Sequence, residues 1–248
     1  MDGTRVSVTV ESLRREFGSV TALDGVDLSL DGPQIVGVAG PNGAGKTTLI
    51  RILLGLLAPT SGTARVNGRD VLDFEADDRE HIGYMPQHRA IYDDLTVRAN
   101  VDFFASLYDV PDREAAVDRA IDLVALADRA DDRVGTLSGG MLRRASLASA
   151  IVHDPDVLFL DEPTVGLDPQ LRASMWETFR EMRDAGALLL VSTHYLGEVR
   201  NCDRVLFLRS GRVLGFDSPQ AFLDRTGTTD LEDAFLALLA DDGRATRP

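Results

Sequence analysis

Gly40-Pro41-Asn42-Gly43-Ala44-Gly45-Lys46-Thr47 fits G-x-x-x-x-G-K-[ST], the pattern of a phosphate-binding loop. Glycines let successive backbone N–H groups turn toward an anion, and a helix that starts at the end of the loop adds its positive N-terminal pole. The hydroxyl of Thr47, with Thr48 beside it, is in reach of a cation bound to the same phosphates. Lys46 is the one lysine among the 26 Lys+Arg residues of the chain. A sequence that uses arginine elsewhere keeps a compact ammonium on a flexible stem where it must reach phosphate oxygens. The loop therefore predicts ATP or GTP binding.

Working outward, alternation over 6–10 and 23–30, a turn at Asp31-Gly32-Pro33 and the run 34–39 read as strands leading into the loop. A helix is expected from Gly45 to about Leu56, stopped near Ala58-Pro59, and Asn67-Gly68 marks a hairpin. Over 96–152 the periodicity turns helical, with Thr96 as a cap for 97–108, Pro111 opening a helix through Ala127, and a further helix over 142–152. Strand 157–160, a helix from Pro169 to about Asp184 capped by Asp168, and strand 187–192 restore an α/β pattern with a parallel sheet. A hairpin over 205–216 turning at Ser210-Gly211 and short helices over 219–224 and 231–239 complete the chain.

The 248 residues, 44% of them apolar, can bury a substantial core. A formal net charge of -14 opposes bulk attraction to nucleic acid or to anionic lipid. Such a carboxylate-rich, lysine-poor surface suits a protein kept soluble in concentrated salt; arginine codons of a GC-rich genome are the other account. One cysteine, Cys202, excludes an internal disulfide and reads as a packing residue of a reducing compartment. The first residues lack the pattern of a signal peptide, and apolar stretches such as 49–59 are broken by Arg51 and Gly55. Any membrane role is expected to come through a partner.

A phosphate loop alone does not identify a reaction. Val157-Leu158-Phe159-Leu160-Asp161-Glu162 supplies more: a buried strand delivering two carboxylates to its C-terminal end, where open α/β sheets bind ligands. Asp161 is suited to hold Mg²⁺ and Glu162 to polarise the water that attacks the γ-phosphate. Leu137-Ser138-Gly139-Gly140-Met141 adds a capping hydroxyl and two side-chain-free amides just ahead of a helix. Together these motifs resemble the nucleotide-binding subunit of an ATP-binding cassette (ABC) transporter, over nearly the whole chain from Val6 to Leu239. Met141 stands where glutamine is usual.

The resemblance implies an α/β fold: a P-loop NTPase core with a mixed sheet, an N-terminal antiparallel β subdomain and an α-helical signature subdomain. It implies one ATPase domain over 1–240, with 1–87 and 153–216 as the core and 88–152 as the helical part, and C-terminal helices and tail over 217–248. Phe17 falls where the family stacks an aromatic on adenine, a core aromatic being the alternative. Gln87 matches the glutamine that touches Mg²⁺ or the attacking water. Gly166-Leu167-Asp168 resembles the loop that crosses to a partner subunit, and His194 matches the switch histidine on the γ-phosphate. His81, His88 and His153 match no motif and are expected to face solvent or to bond locally.

In the family, the signature of one subunit covers ATP held by the other, so each site needs two chains. Ser138, Gly139 and Gly140 are then read as binding the triphosphate on Lys46 of a second copy. A homodimer is the simplest expectation, with a heterodimer as the alternative. The resemblance further implies a separate permease contacted near 88–102, a cytoplasmic place against the inner face of the membrane, and export of the ABC-2 class, to which the 193–196, 202–204 and 230–236 segments are similar. A soluble cassette ATPase with no transport role is the competing reading.

Overall fold

The computed structural model describes residues 6–245, and the side chains of 6–241. The extreme N-terminus, where no targeting signal is expected, and the end of the C-terminal tail lie outside the described residues. The chain forms two compact units, one from residues 1–74 with 188–248 and the other from 75–187.

The first unit opens with β1 (Ser7–Phe17) and β2 (Val20–Asp31), an antiparallel pair with Val8, Val10, Leu13, Leu23, Val26, Leu28 and Leu30 turned into the core. Both strands run longer than the alternation predicts, because bulges between Val10 and Leu13 and between Arg15 and Glu16 shift the register and scramble the period-2 pattern. β3 (Gln34–Ala39) follows as expected, then α1 (Lys46–Leu53), which stops three residues before the predicted end. Gly55, at φ +66, ends the last turn. β4 (Ser61–Val66) pairs with β1 and turns at Asn67-Gly68, both at positive φ, into the two-residue β5 (Arg69–Asp70). These four strands form an antiparallel sheet in the order β2-β1-β4-β5.

The second unit holds α2 (Ala76–Glu80), β6 (Ile82–Met85), α3 (Val97–Leu107), α4 (Arg113–Leu123), α5 (Gly139–Ile151), β7 (Val157–Asp161) and α6 (Pro169–Asp184). Thr96 caps α3, Ser138 caps α5 and Asp168 caps α6, each by accepting from N–H groups of the first turn. The fully apolar stretch of β7 is buried throughout and pairs in parallel with β6. α4 is shorter than the 111–127 pattern suggests, since Ala125 at φ +53 breaks it and a 3₁₀ turn takes Ala127–Arg129. α5 starts three residues earlier than expected: the Ser138 cap outweighs the poor helix propensity of Gly139 and Gly140.

The chain then returns to the first unit with β8 (Leu188–Thr193), β9 (Arg204–Arg209), β10 (Arg212–Asp217), α7 (Pro219–Thr226) and α8 (Leu231–Ala245). β3 lies between β8 and β9, parallel to both, and β10 closes antiparallel on β9 at the predicted Ser210-Gly211 turn, so the sheet is mixed. Phe207 of β9 packs on Phe222 of α7 and Phe235 of α8, at ring-centroid distances of 4.7 and 5.3 Å. Cys202 is buried, as a packing role requires. A Cβ on Gly37 of β3 would lie 2.9 Å from its sulfur, and burial pushes its thiol pKa far above the usual range.

Candidate functional site

The phosphate loop leaves the end of β3 and wraps onto the first turn of α1. Gly45 is the helix N-cap at φ 109, a conformation open to glycine, and a Cβ there would sit 2.5 Å from the Ala22 carbonyl. Gly40 has no room either, since its Cβ would meet the Leu208 carbonyl at 2.0 Å. The loop is tied inward by Ala44 N–H donating to the Pro41 carbonyl and Gly211 N–H donating to the Ala44 carbonyl. No acidic side chain occupies the first turn of α1, so the positive pole of the helix is left for an anion.

Lys46 is 5% exposed, and its ammonium donates to the carbonyls of Gly40 at 2.8 Å and Pro41 at 3.1 Å. A buried cation held over the loop by its own backbone is preorganised for a polyanion. Asn42 and Gly43 are exposed on the rim, and Thr47 and Thr48 are half-buried in the first helical turn. On the same shelf, Gly40 N–H donates to the carbonyl of Thr193, the last residue of β8, and His194 follows directly. The His194 ring lies 4.2 Å from that of Tyr195. Sequence positions 40–48 and 194 therefore come together because Ala39 and Thr193 are register partners.

Phe17 ends β1 and is 46% exposed, with the Arg15 guanidinium 4.5 Å from its ring centre. It is not a core aromatic. An exposed ring is what stacking on a base needs.

In the second unit the parallel register pairs Met85 with Leu160, so the chain leaves β6 and β7 side by side. Asp161 (1% exposed) and Glu162 (5% exposed) lie at the end of β7. Asp161 is the last residue of strand β7, while Glu162 turns to φ 52 at a local backbone cost. Gln87, two residues past β6, donates from Nε2 to Glu162 Oε2 at 2.9 Å. Arg143 of α5, which the motif reading passed over, donates from Nη1 to the Gln87 carbonyl at 2.9 Å. Burial pushes its guanidinium pKa down, and the charges of Glu162 and Asp161 pull it up.

Ser138 Oγ accepts from Met141 N–H at 3.3 Å as the α5 cap. Ser138 and Gly139 are exposed, whereas Gly140 is buried against Leu171 of α6. Asp168 is exposed and accepts from the N–H groups of Gln170 and Leu171 at 2.9 and 3.0 Å. His81 pairs with Asp156 at 2.8 Å. His153 does not face solvent: its ring stacks on Tyr108 at 3.8 Å, its Nε2 contacts the Ile82 carbonyl at 3.1 Å, and burial pushes its pKa down.

Each unit's donor set is taken by itself: in the first, loop N–H groups, a helix pole and a buried ammonium suit the phosphates of a nucleotide, and in the second, the buried Asp161 carboxylate with the Gln87 amide suits a hard cation such as Mg²⁺. A family model described as ABC transporter matches residues 23–165. The chain is 35% identical over 253 residues to the probable multidrug ABC transporter ATP-binding protein YbhF of Escherichia coli K12, covering 97% of this chain and 43% of that protein. It is 38% identical over 220 residues to the Nod factor export ATP-binding protein I of Burkholderia lata, covering 88% of this chain and 72% of that protein. A solved structure of an ATP binding subunit of an ABC transporter superposes with a TM-score of 0.84 at 26% identity, over 94% of this chain and 99% of that one.

Proposed function

The chain belongs to the ABC transporter family of ATP-binding proteins, and on that premise we propose that it is the ATP-hydrolysing subunit of an exporter, working through separate membrane-spanning permease subunits. The observation that carries this reading is the pair of buried, preorganised groups that hydrolysis needs: Lys46 clasped on the phosphate loop and Glu162 held by Gln87.

In this reading Phe17 stacks on adenine. The 40–45 loop, Lys46 and Thr48 bind the triphosphate, and Thr47, Asp161 and Gln87 would hold Mg²⁺. When bound, Mg²⁺ neutralises charge on the β- and γ-phosphates. Glu162 takes a proton from the attacking water, the new P–O bond forms as the bond to the β-phosphate oxygen breaks, and ADP and phosphate result. His194 donates to the γ-phosphate. Removing a general base costs about 10² to 10⁴-fold in rate. Glu162→Gln should therefore bind ATP and hydrolyse it slower by that order in a phosphate-release assay, whereas parental turnover would remove Glu162 from this role.

ATP further acts as the link between two copies. Ser138 and Gly139 are exposed at the positive end of α5, and Asp168 is exposed at the start of α6, as contact with a second copy requires. The assembly proposed is a homodimer with two equivalent sites, resting on the inner face of the cytoplasmic membrane. Glu162→Gln with Mg-ATP should run at twice the chain mass in light scattering, and Ser138→Arg should abolish that species while leaving initial ATP binding; a mass unchanged by ATP in Glu162→Gln would refute the link. The permease is expected on the segment 88–102, where Tyr92 (51% exposed) and Leu95 present apolar side chains and the Tyr92 ring lies 5.2 Å from that of Phe103. Export is supported by the curated relatives, one of them described as a Nod factor export protein and another as a probable multidrug transporter protein.

A further inference from the structure

We propose that Arg143 is a positioning residue for hydrolysis, transmitting the placement of the α5 helix to the base Glu162 through the main chain of Gln87. The proposal rests on the ATPase reading above and goes beyond the residues that reading employs.

α5 lies against β6 with the two running in opposite directions. Near the start of β6, Gly83 admits the helix: a Cβ there would meet the Ala150 carbonyl at 2.6 Å and the Pro155 ring at 2.8 Å. Ala150 and Arg143 are seven residues apart, two helical turns on one face and about 10.5 Å along the axis. Gly83 and Gln87 are four residues apart, about 13 Å of extended chain. The close approach at one end thus sets Arg143 beside Gln87 at the other, where Nη1 meets the Gln87 carbonyl at 2.9 Å.

Gln87 is past the last ladder pair of β6, Met85 with Leu160, so the strand no longer fixes its backbone. A charge-assisted bond from a half-buried guanidinium does so instead. With its main chain fixed, the Gln87 amide can hold Glu162 Oε2 at 2.9 Å. Glu162 itself lies one residue past β7 with its backbone at φ 52, outside the strand conformation. The same helix carries the Ser138 cap at its first turn. A shift of α5 by the contacts of Ser138 therefore moves Arg143, the Gln87 carbonyl and the carboxylate together.

Steady-state ATP hydrolysis by the full chain tests this. Loss of a hydrogen bond from a charged donor corresponds to roughly ten- to a hundred-fold, so Arg143→Ala should lower kcat by about that factor. The KM for ATP should stay within about two-fold, because Lys46 and its loop are untouched. Arg143→Lys retains one donor and should recover a large part of the loss. In a Gln87→Ala background, Arg143→Ala should cost little more, since its effect passes through Gln87. Parental kcat in Arg143→Ala, a KM rise as large as the kcat loss, a lysine variant no better than alanine, or full additivity with Gln87→Ala would each overturn the proposal. Should Arg143→Ala not fold, Arg143→Lys and Arg143→Gln provide the same cycle. If the parental chain hydrolyses no ATP, the ATPase reading itself falls; if it does and Glu162→Gln is slow while Arg143→Ala is not, Arg143 alone is at fault.

Discussion

At the scale of single residues, the chain concentrates its costly choices. Lys46 is a buried cation, and the loop carbonyls of Gly40 and Pro41 supply its hydrogen bonds. Each charge-assisted bond it would make to a phosphate contributes about 1.5 to 3 kcal/mol. Lys46→Ala should therefore weaken ATP binding at least about ten-fold by equilibrium titration; unaltered affinity would remove the loop from nucleotide binding. His153 carries a different cost. It is held neutral between Tyr108 and the Ile82 carbonyl, with Asp154 and His81 as the charges around it, and burial sets its pKa below the ordinary histidine value. The unfolded chain then binds the proton more readily. Stability from this site is complete above about pH 6.5 and falls as the pH drops toward the folded-state value, by no more than about 1.4 kcal/mol per unit. His153→Phe keeps a ring on Tyr108 and cannot be protonated, so urea unfolding from pH 7.5 to 5 should show a shallower decline than the parent; equal slopes would exclude His153 as the source.

At the scale of elements, end signals decide where helices lie. Asp168 caps α6 with bonds to Gln170 and Leu171, and Pro169 follows at the first helical position. Asp168→Ala should lower unfolding stability by about 1 kcal/mol, measured by chemical denaturation without nucleotide; no change would mean the cap is redundant. These ends were readable: Thr96, Asp168-Pro169, Asn67-Gly68 and Ser210-Gly211 each act through atoms within a few residues. β6 was not, because Ile-Gly-Tyr-Met is short and lacks alternation, and its glycine serves the approach of α5. The true length of β1 was hidden by bulges that break its period. Of the residues proposed to serve hydrolysis, the motifs mark Lys46, Asp161, Glu162 and Gln87, while Arg143 left no local mark: its partner is 56 residues away, and only packing of a helix on a strand joins them.

At the scale of the whole molecule, electrostatics dominates. Forty carboxylates against 26 basic side chains leave a formal charge of -14, which repels itself in dilute buffer. Salt shortens the range of that repulsion to about 3 Å at 1 M. The melting temperature should rise between dilute buffer and molar KCl, with ATPase activity retained; precipitation or a falling melting point would assign the arginine bias to codon usage instead. The buried Cys202 has a practical corollary. Its sulfur is walled in against Gly37 and its thiolate is suppressed, so maleimide dyes should ignore the native fold. An engineered surface cysteine at Ala90, say, would become a single labelling handle, and fluorophores on two copies could report their approach in real time without removing the native thiol.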